Sequence, residues 1–216
     1  GISQYAECVN IGAMEFEKLA DFAQEHSIDL TIIGMDDPLV GGVVDVFEER
    51  GLKVFGPRKN AAILEGSKAF SKQLMKKYGI PTAAYEIFTD REAAFAYLET
   101  VTFPTVIKAD GLALGKGVII AETLSEAQAA VNAMMLEGAF GKSGERIVIE
   151  QYLTGPEVSV LSFTDGKTIV PMVSSMDHKR ALDGDRGLNT GGMGTVAPNP
   201  YYTGQIADIC METIFK

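Results

Sequence analysis

The sequence predicts an α/β first part followed by an α+β second part. Short apolar runs at 29–34 and 53–55 flank a helical pattern at 39–50, and strand–helix–strand order with tight connections indicates a parallel sheet. Beyond residue 82, strand patterns follow one another through turns such as Asp165-Gly166, which is typical of antiparallel pairing. The 216 residues, 46% of them apolar, are enough to bury a sizeable core.

Helical periodicity dominates the first 80 residues. Residues 14–26 place Phe16, Leu19 and Ala23 on one stripe. The Gly41-Gly42 pair within 39–50 indicates either a close backbone contact or a helix that starts later, and the later start is favoured. Residues 61–78 form another amphipathic helix, which Gly79 and Pro81 end.

The second part alternates strands with alanine-rich helices. Capping boxes predict helix starts at Thr89 and Thr123, each with a Glu three residues on. Five strands are predicted, at 105–108, 118–121, 146–151, 157–163 and 168–173. The resulting domain prediction is a partial α/β substrate-binding domain at 1–60, a connecting helix and linker at 61–82, and the α+β domain at 83–216.

Composition excludes several classes of function. A formal net charge of −10 argues against a broad nucleic-acid surface, which needs clustered cations. Cys8 and Cys210 match no metal spacing, and the chain has only two histidines, so we expect reduced thiols and name no metal ligand. No run of 18 apolar residues and no signal peptide is visible, so we expect a cytoplasmic protein without a membrane partner.

The first constellation is a glycine-rich loop between two strands, KADGLALGKG at 108–117. Gly115 and Gly117 let the backbone approach an anion, while Lys108 and Lys116 flank the loop as a polyphosphate clamp would. It is not a Walker A loop, because Gly111 is one position late and Gly117 replaces the hydroxyl residue. A plain turn with a lysine extended to solvent is the alternative.

The second constellation is EQYLTGPE at 150–157, where two strands meet at a short connector. Its free backbone groups could face a flat ring, and Glu157 is predicted to share a strand face with Ser159 and Leu161. A solvated edge strand is the alternative, and it is favoured when this segment is taken alone.

The third constellation, at 177–194, combines cations, acids and glycines in what is predicted to be a loop, and this mixture favours a binding site. Residues 192–197 match the dinucleotide fingerprint G-x-G-x-x-A. We reject that match because a polar loop precedes it, and because Pro198 and Pro200 follow where a helix is required.

In these segments the chain resembles the phosphoribosylamine–glycine ligases, an ATP-grasp family of purine biosynthesis. The matching stretches are VFGPRKNAAILEGSKAF, IPTA, VIKADGLALGKGVIIA, IVIEQYLTGPEVS and DHKRALDGDRGLNTGGMG, in this order over roughly residues 28–200. The resemblance implies a Rossmann-like, incomplete N-terminal sheet followed by an ATP-grasp domain. It also implies ligation of glycine to 5-phosphoribosylamine through glycyl phosphate, with release of ADP and phosphate.

The resemblance implies site residues as well. For ATP it implies phosphate contacts from Lys108 and Lys116, a covering loop at Gly115–Gly117, an adenine-facing hinge at Glu150, Tyr152 and Leu153, and ribose binding by Glu157. For glycine and phosphoribosylamine it implies Asp177, Lys179, Arg180, Asp185, Asn189, Thr190, Gly191 and Gly192. Within these sets, the predicted catalytic residues are Lys116, Arg180 and Asp185.

The chain departs from the family pattern in several places. Asp36 stands where the family usually has Glu in G-P-E-x-P-L, and Leu188 stands where it tends to have Pro. The family's opening glycine-rich loop, its Glu-Phe-Asn segment for Mg²⁺ and its C-terminal domain are absent from these 216 residues. We therefore expect a monomeric fragment that does not turn over alone, with the ligands for Mg²⁺ or Mn²⁺ beyond its end.

Two other functions compete with a ligase. A non-catalytic nucleotide-binding module predicts nucleotide affinity without product in the full-length chain. A Rossmann-type dinucleotide binder rests only on the early strand–helix–strand unit and the rejected fingerprint, and it predicts NAD binding.

Overall fold

The computed structural model describes residues 1–112, 117–137, 140–184, 186–190 and 192–216. The first part is α/β. Its elements are α1 (Phe16–Glu25), β1 (Thr31–Ile32), α2 (Asp36–Gly41), α3 (Val43–Glu49), β2 (Val54–Phe55), α4 (Lys59–Gly66) and α5 (Lys68–Tyr78). β1 and β2 pair in parallel, which confirms the predicted strand–helix–strand unit. A small core forms where Ala20 and Ala23 of α1 meet Val43, Val44 and Phe47 of α3.

Two predicted helices are each broken into two. The segment 39–50 is interrupted at Gly42, whose φ of +100° is strained for any residue with a Cβ. A helix does start after the glycines, at Val43, as favoured. The close contact is present as well, because a Cβ added to Gly41 would lie 2.6 Å from the ring of Phe16. The segment 61–78 breaks at Ser67, whose side chain caps α5 by accepting from the N–H of Phe70.

The second part contains a four-stranded antiparallel sheet. Its elements are β3 (Tyr85–Phe88), α6 (Arg91–Leu98), β4 (Thr105–Ala109), β5 (Val118–Ala121), α7 (Leu124–Met135) and β6 (Ile147–Gln151), with strand order β3-β6-β4-β5. Thr123 caps α7 as predicted. The prediction for Thr89 is wrong, because Asp90 takes the capping position and accepts from the N–H of Ala93.

The two faces of this sheet differ in chemistry. Ile107 and Ile149 are paired across β4 and β6 on the face that packs against α6 and α7, and both are almost fully buried. Each such side chain contributes about 1.5–3 kcal/mol by leaving water. The alternate residues Val106, Lys108 and Glu150 occupy the opposite face, because successive side chains of a strand point to opposite sides.

Short antiparallel pairs follow the sheet. They are β7 (Ser162–Thr164) with β8 (Ile169–Pro171), β9 (Met176–Asp177) with β12 (Thr195–Val196), and β10 (Arg180–Leu182) with β11 (Arg186–Asn189). The strand predicted at 157–163 is reduced to β7 and one isolated bridge from Ser159 to Ser175. Glu157, Ser159 and Leu161 therefore do not share a face of one strand.

The loop predicted at 177–194 is largely a hairpin. The strand β11 precedes the residues that match the dinucleotide fingerprint, so the prediction of a polar loop there is wrong. The match still fails, because β12 follows the glycines where the fingerprint needs a helix.

The remaining elements are short. They are 3₁₀ turns at Ile2–Gln4 and Gly141–Gly144, the helix α8 (Gly204–Cys210) and a π turn at Met211–Phe215. Among the helices of the described residues, none combines the length and the apolar character that crossing a bilayer requires.

Candidate functional site

Two lysines share one buried carboxylate on the polar face of the four-stranded sheet. The Nζ atoms of Lys108 and Lys72 lie 3.0 Å and 3.1 Å from the same oxygen of Glu150, Oε2. The other oxygen, Oε1, is buried without a hydrogen-bond partner among the described residues. Two cations against one anion leave a local positive charge, which suits a site for an anionic ligand.

A third lysine extends this cluster. Lys68 lies one helical turn before Lys72 on α5, and its Nζ donates to the carbonyl oxygen of Gly111 at 2.9 Å. Burial lowers the pKa of Lys68; the charge of Asp110 opposes this shift, and the charge of Lys108 adds to it. Sequence reasoning missed both α5 lysines. The signal was their spacing of four residues, which puts them on one helix face.

Asp110 fixes the root of the glycine-rich loop. Its carboxylate accepts from the Ser67 hydroxyl at 3.0 Å, the N–H of Ala69 at 2.6 Å and the guanidinium of Arg146 at 2.7 Å. One buried side chain therefore joins the first residues of α5, the end of β4 and the start of β6. A buried anion needs such charge-assisted hydrogen bonds.

The structure describes only the two ends of the glycine-rich loop. Gly115 and Lys116, predicted to cover the nucleotide phosphates, lie outside the described residues. Gly117 is buried, and its carbonyl accepts from the N–H of Ala109 at 2.8 Å, which continues the β4–β5 pairing by one step. Lys108 therefore lies beside the point where the loop returns to the sheet.

A cavity of about 800 Å³ joins the second and third constellations. It is lined by Ile120, Tyr152, Gly155, Pro156, Glu157, Met176, Asp177, His178, Lys179, Arg180, Ala181, Leu182, Asp183, Gly184, Met193 and Tyr201. Residues predicted for the nucleotide and residues predicted for the substrates thus share one cavity. Leu153 is 63% exposed and is not among the lining residues, and His178 was not predicted.

Three of the charged groups that line this cavity are paired with each other. Lys179 forms ion pairs with Glu157 and, at 3.6 Å, with Asp177. The hydrogen bond to Glu157 raises the pKa of Lys179, and the charge of Asp177 acts in the same direction, while partial burial opposes both. Oδ1 of Asp177 is buried with no partner among the described residues, so a donor on a ligand could bind there.

The hairpin orders the other predicted substrate residues. The guanidinium of Arg180 donates to the carbonyl of Gly187 at 2.8 Å, and both the N–H and the hydroxyl of Thr190 donate to the carbonyl of Lys179. Gly192 has a φ of +107°, and its N–H donates to the Thr190 hydroxyl. Asn189 pairs with Arg180 through the backbone of β11. Asp185 and Gly191 lie outside the described residues.

Asn199 holds two walls of the cavity together, and sequence reasoning missed it. Its amide nitrogen donates to the carbonyls of Glu157 at 2.9 Å and Ser175 at 3.1 Å, and its amide oxygen accepts from the N–H of Tyr201 at 2.8 Å. The side chain is almost fully buried. No sequence signal identifies this role, because it depends on three backbone groups that meet only in the fold.

A divalent metal has no evident place in this part of the chain. Across the described ranges, no three His, Cys, Asp or Glu side chains converge closely enough to hold an ion. These residues therefore do not fit a metal, and no step of the chemistry is assigned to one.

Two family models match the chain in succession. The N domain of phosphoribosylglycinamide synthetase matches residues 1–65, and the ATP-grasp (A) domain of the same enzyme matches residues 66–216. The border between them falls inside the predicted connecting segment 61–82.

Curated relatives and solved structures agree with these models. The phosphoribosylamine–glycine ligase of Clostridium acetobutylicum is 50% identical over all 216 residues, which are 52% of its own length. A crystal structure of the enzyme of that name from Thermotoga maritima, 41% identical, superposes with a TM-score of 0.63 over 66% of this chain and 37% of that one. The chain spans about half the length of the curated relatives it matches.

A more distant structure shows the fold alone. N5-carboxyaminoimidazole ribonucleotide synthetase from Thermus thermophilus is 20% identical, and it superposes with a TM-score of 0.68 over 99% of this chain and 54% of that one. Together with the ATP-grasp (A) domain model and the Thermotoga maritima structure, it confirms the mixed α/β and ATP-grasp architecture predicted from the sequence.

Proposed function

The chain belongs to the phosphoribosylglycinamide synthetase family, and we propose from this membership that the protein joins glycine to 5-phosphoribosylamine using ATP. The observation that carries the proposal is a set of curated relatives, each about half identical over almost the whole chain and each called phosphoribosylamine–glycine ligase. The proposal includes a cytoplasmic monomer that acts on small molecules and binds neither nucleic acid nor membrane.

The reaction sets the demands on the site. A carboxylate oxygen of glycine attacks the γ-phosphorus of ATP, and ADP leaves. The amine of phosphoribosylamine then attacks the carbonyl carbon of glycyl phosphate, phosphate leaves, and the nitrogen loses a proton as the amide forms. The first step brings two anions together, so cations must neutralise them, and water must be kept from the mixed anhydride.

The lysine cluster supports a nucleotide at the polar face of the sheet. Lys108 and Lys116 contact the phosphates in this proposal, with Gly115–Gly117 as the covering loop. Lys68 joins them because its ammonium lies at the base of that loop, 2.9 Å from the carbonyl oxygen of Gly111. Glu150, Tyr152 and Leu153 form the adenine-facing hinge, and Glu157 accepts the ribose hydroxyls.

The hairpin supports the two substrates. Lys179 and Arg180 are the cations for the glycine carboxylate and the phosphate of phosphoribosylamine, and both line the 800 Å³ cavity. The unpartnered oxygen of Asp177 suits an amine donor. Asp185, Asn189, Thr190, Gly191 and Gly192 complete the substrate pocket, and Lys116, Arg180 and Asp185 are the proposed catalytic residues.

ATP enters as a substrate with Mg²⁺ or Mn²⁺, and we propose that the metal ligands lie outside the described residues. Among those residues, the ones named above bind, orient and shield the reactants.

A phosphate-release assay tests the proposal. The chain extended to the full length of its curated relatives, of which it spans about half, is purified and mixed with ATP, glycine and phosphoribosylamine, and each substrate is omitted in turn. Phosphate release that needs glycine and yields glycinamide ribonucleotide supports the ligase. Saturable nucleotide binding without product points instead to a non-catalytic nucleotide-binding module.

Two variants test the site assignment. Lys108→Met is expected to weaken ATP binding by about 10-fold or more, because it removes a charge-assisted contact to phosphate. Arg180→Met is expected to raise the KM of glycine or phosphoribosylamine more than that of ATP. The matched control is Lys167→Met, which changes an exposed lysine in the β7–β8 turn. Equal losses in all three variants would contradict the assignment.

A further inference from the structure

Lys72 has the geometry of a counter-ion and not of a ligand-binding group. Its side chain is only 10% exposed, against 26% for Lys108, although both Nζ atoms contact the same oxygen of Glu150. Lys72 is further held by a hydrogen bond of 2.7 Å to the Thr82 hydroxyl, and its Nζ lies 5.5 Å from the centre of the Tyr85 ring. It is therefore fixed beneath the sheet face, whereas Lys108 has access to the surface.

The Glu150 carboxylate needs at least one of its two lysine partners at all times. A buried carboxylate without a cation is strongly unfavourable, because the interior cannot replace its hydration. With Glu150 as its only partner, Lys108 could turn to a phosphate only by leaving such an anion behind. A second lysine on the same oxygen removes this penalty.

We propose that Lys72 is a positioning residue that keeps the Glu150 carboxylate paired, so that Lys108 can exchange this carboxylate for a phosphate oxygen of the nucleotide. The inference rests on the proposed function, since it requires a phosphate ligand at Lys108. It distinguishes two α5 lysines one turn apart: Lys68 reaches the base of the glycine-rich loop, and Lys72 maintains the charge balance of the sheet.

Nucleotide titrations test this exchange. ADP and adenosine are titrated by calorimetry into the unaltered protein and into Lys72→Met. We expect ADP affinity to fall about tenfold, the scale of one charge-assisted hydrogen bond, because Lys108 stays with Glu150. Adenosine affinity should not change, since adenosine carries no phosphate. Lys72→Arg should retain ADP affinity, and Lys76→Met, on the exposed side of α5, is the matched control.

The Glu150→Gln background supplies the second test. Without the carboxylate there is nothing for Lys72 to neutralise, so Lys72→Met should cause no further loss of ADP affinity there. If Lys72→Met does not fold, Lys72→Gln replaces it, because Gln keeps a polar head for Thr82 while removing the charge.

Each other outcome has a definite meaning. Equal losses for ADP and adenosine would show that Lys72 only braces the fold, and the inference would be wrong. A full additional loss in the Glu150→Gln background would overturn it as well. If the unaltered protein binds no ADP, both the proposed function and the inference fail. If it binds ADP and Lys72→Met leaves that affinity unchanged, the inference alone fails.

Discussion

In the four-stranded sheet every strand contributes apolar side chains to one core, whereas the hairpins after Gln151 bury mainly polar ones. Ile107, Ile149 and Phe88 pack against α6 and α7 on one side of the sheet. Among the described residues from 152 to 203, only Ser174 and Asn199 are buried. The sheet is thus held by removal of apolar surface from water, and the walls of the cavity by directional hydrogen bonds and ion pairs.

This difference makes the sheet the stable region and the hairpins the region that can adjust. Apolar burial is insensitive to direction and tolerates little loss of volume, because the core is closely packed. Hydrogen bonds hold backbone segments in a set geometry but leave their outer faces open to solvent. The 800 Å³ cavity touches the firm sheet at Ile120, whereas most of its lining lies after Gln151, in the region that can adapt to a ligand.

The sharpest contrast comes from truncating one aliphatic side chain in each region. Ile107→Ala should lower the free energy of unfolding by about 2–5 kcal/mol, because it opens a cavity in the fully buried core. Leu161→Ala removes a side chain that is 58% exposed and should change it by less than about 0.5 kcal/mol. Urea unfolding at equilibrium measures both, and similar values would mean that the hairpins share the cooperative core.

A smaller effect is expected at the polar centre of the hairpins. Asn199→Ala leaves the carbonyl of Glu157 without its donor and removes one of the two donors to the carbonyl of Ser175, so we expect a loss of about 1–3 kcal/mol. It should also weaken substrate binding, because Glu157 lines the cavity and Ser175 directly precedes Met176, which lines it too. Asn60→Ala, at an exposed position of α4, is the control in the same urea experiments and substrate titrations. Unchanged substrate affinity would show that Asn199 does not position the walls.

The same contrast explains what the sequence could predict. Short apolar runs predicted β4, β5 and β6 almost to the residue, because β4 and β6 are buried on both faces. The hairpins bury little, so the strand pattern at 157–163 does not correspond to a paired strand over that range. For the same reason the charged stretch at 177–194 was predicted to be a loop, although β10 and β11 pair within it. Lys108 was singled out correctly as a lysine on an apolar strand. Its partner Lys72 lies 36 residues away in a helix and becomes visible only when α5 packs on the sheet.

The smallest expected effect concerns the exposed ion pair between Lys179 and Glu157. The pair raises the pKa of Lys179 above its ordinary 10.5. It therefore contributes stability that is complete below pH 10.5 and is lost as the pH rises through the folded-state pKa of Lys179. Because both side chains are more than a third exposed, solvent screening keeps this contribution well under about 1 kcal/mol.

Glu157→Gln tests the pair directly. The variant should lower the pKa of Lys179 toward its ordinary value, measured by NMR titration of the side-chain amine. Its small stability deficit should shrink above pH 10.5 and vanish once the pH exceeds the raised folded-state pKa of Lys179. Glu99→Gln, at an exposed position after α6, is the control and should leave Lys179 unchanged. A deficit of several kcal/mol, or one that persists at high pH, would mean that Glu157 supports the hairpins through more than this pair, and the contrast between a firm sheet and an adaptable wall would have to be abandoned.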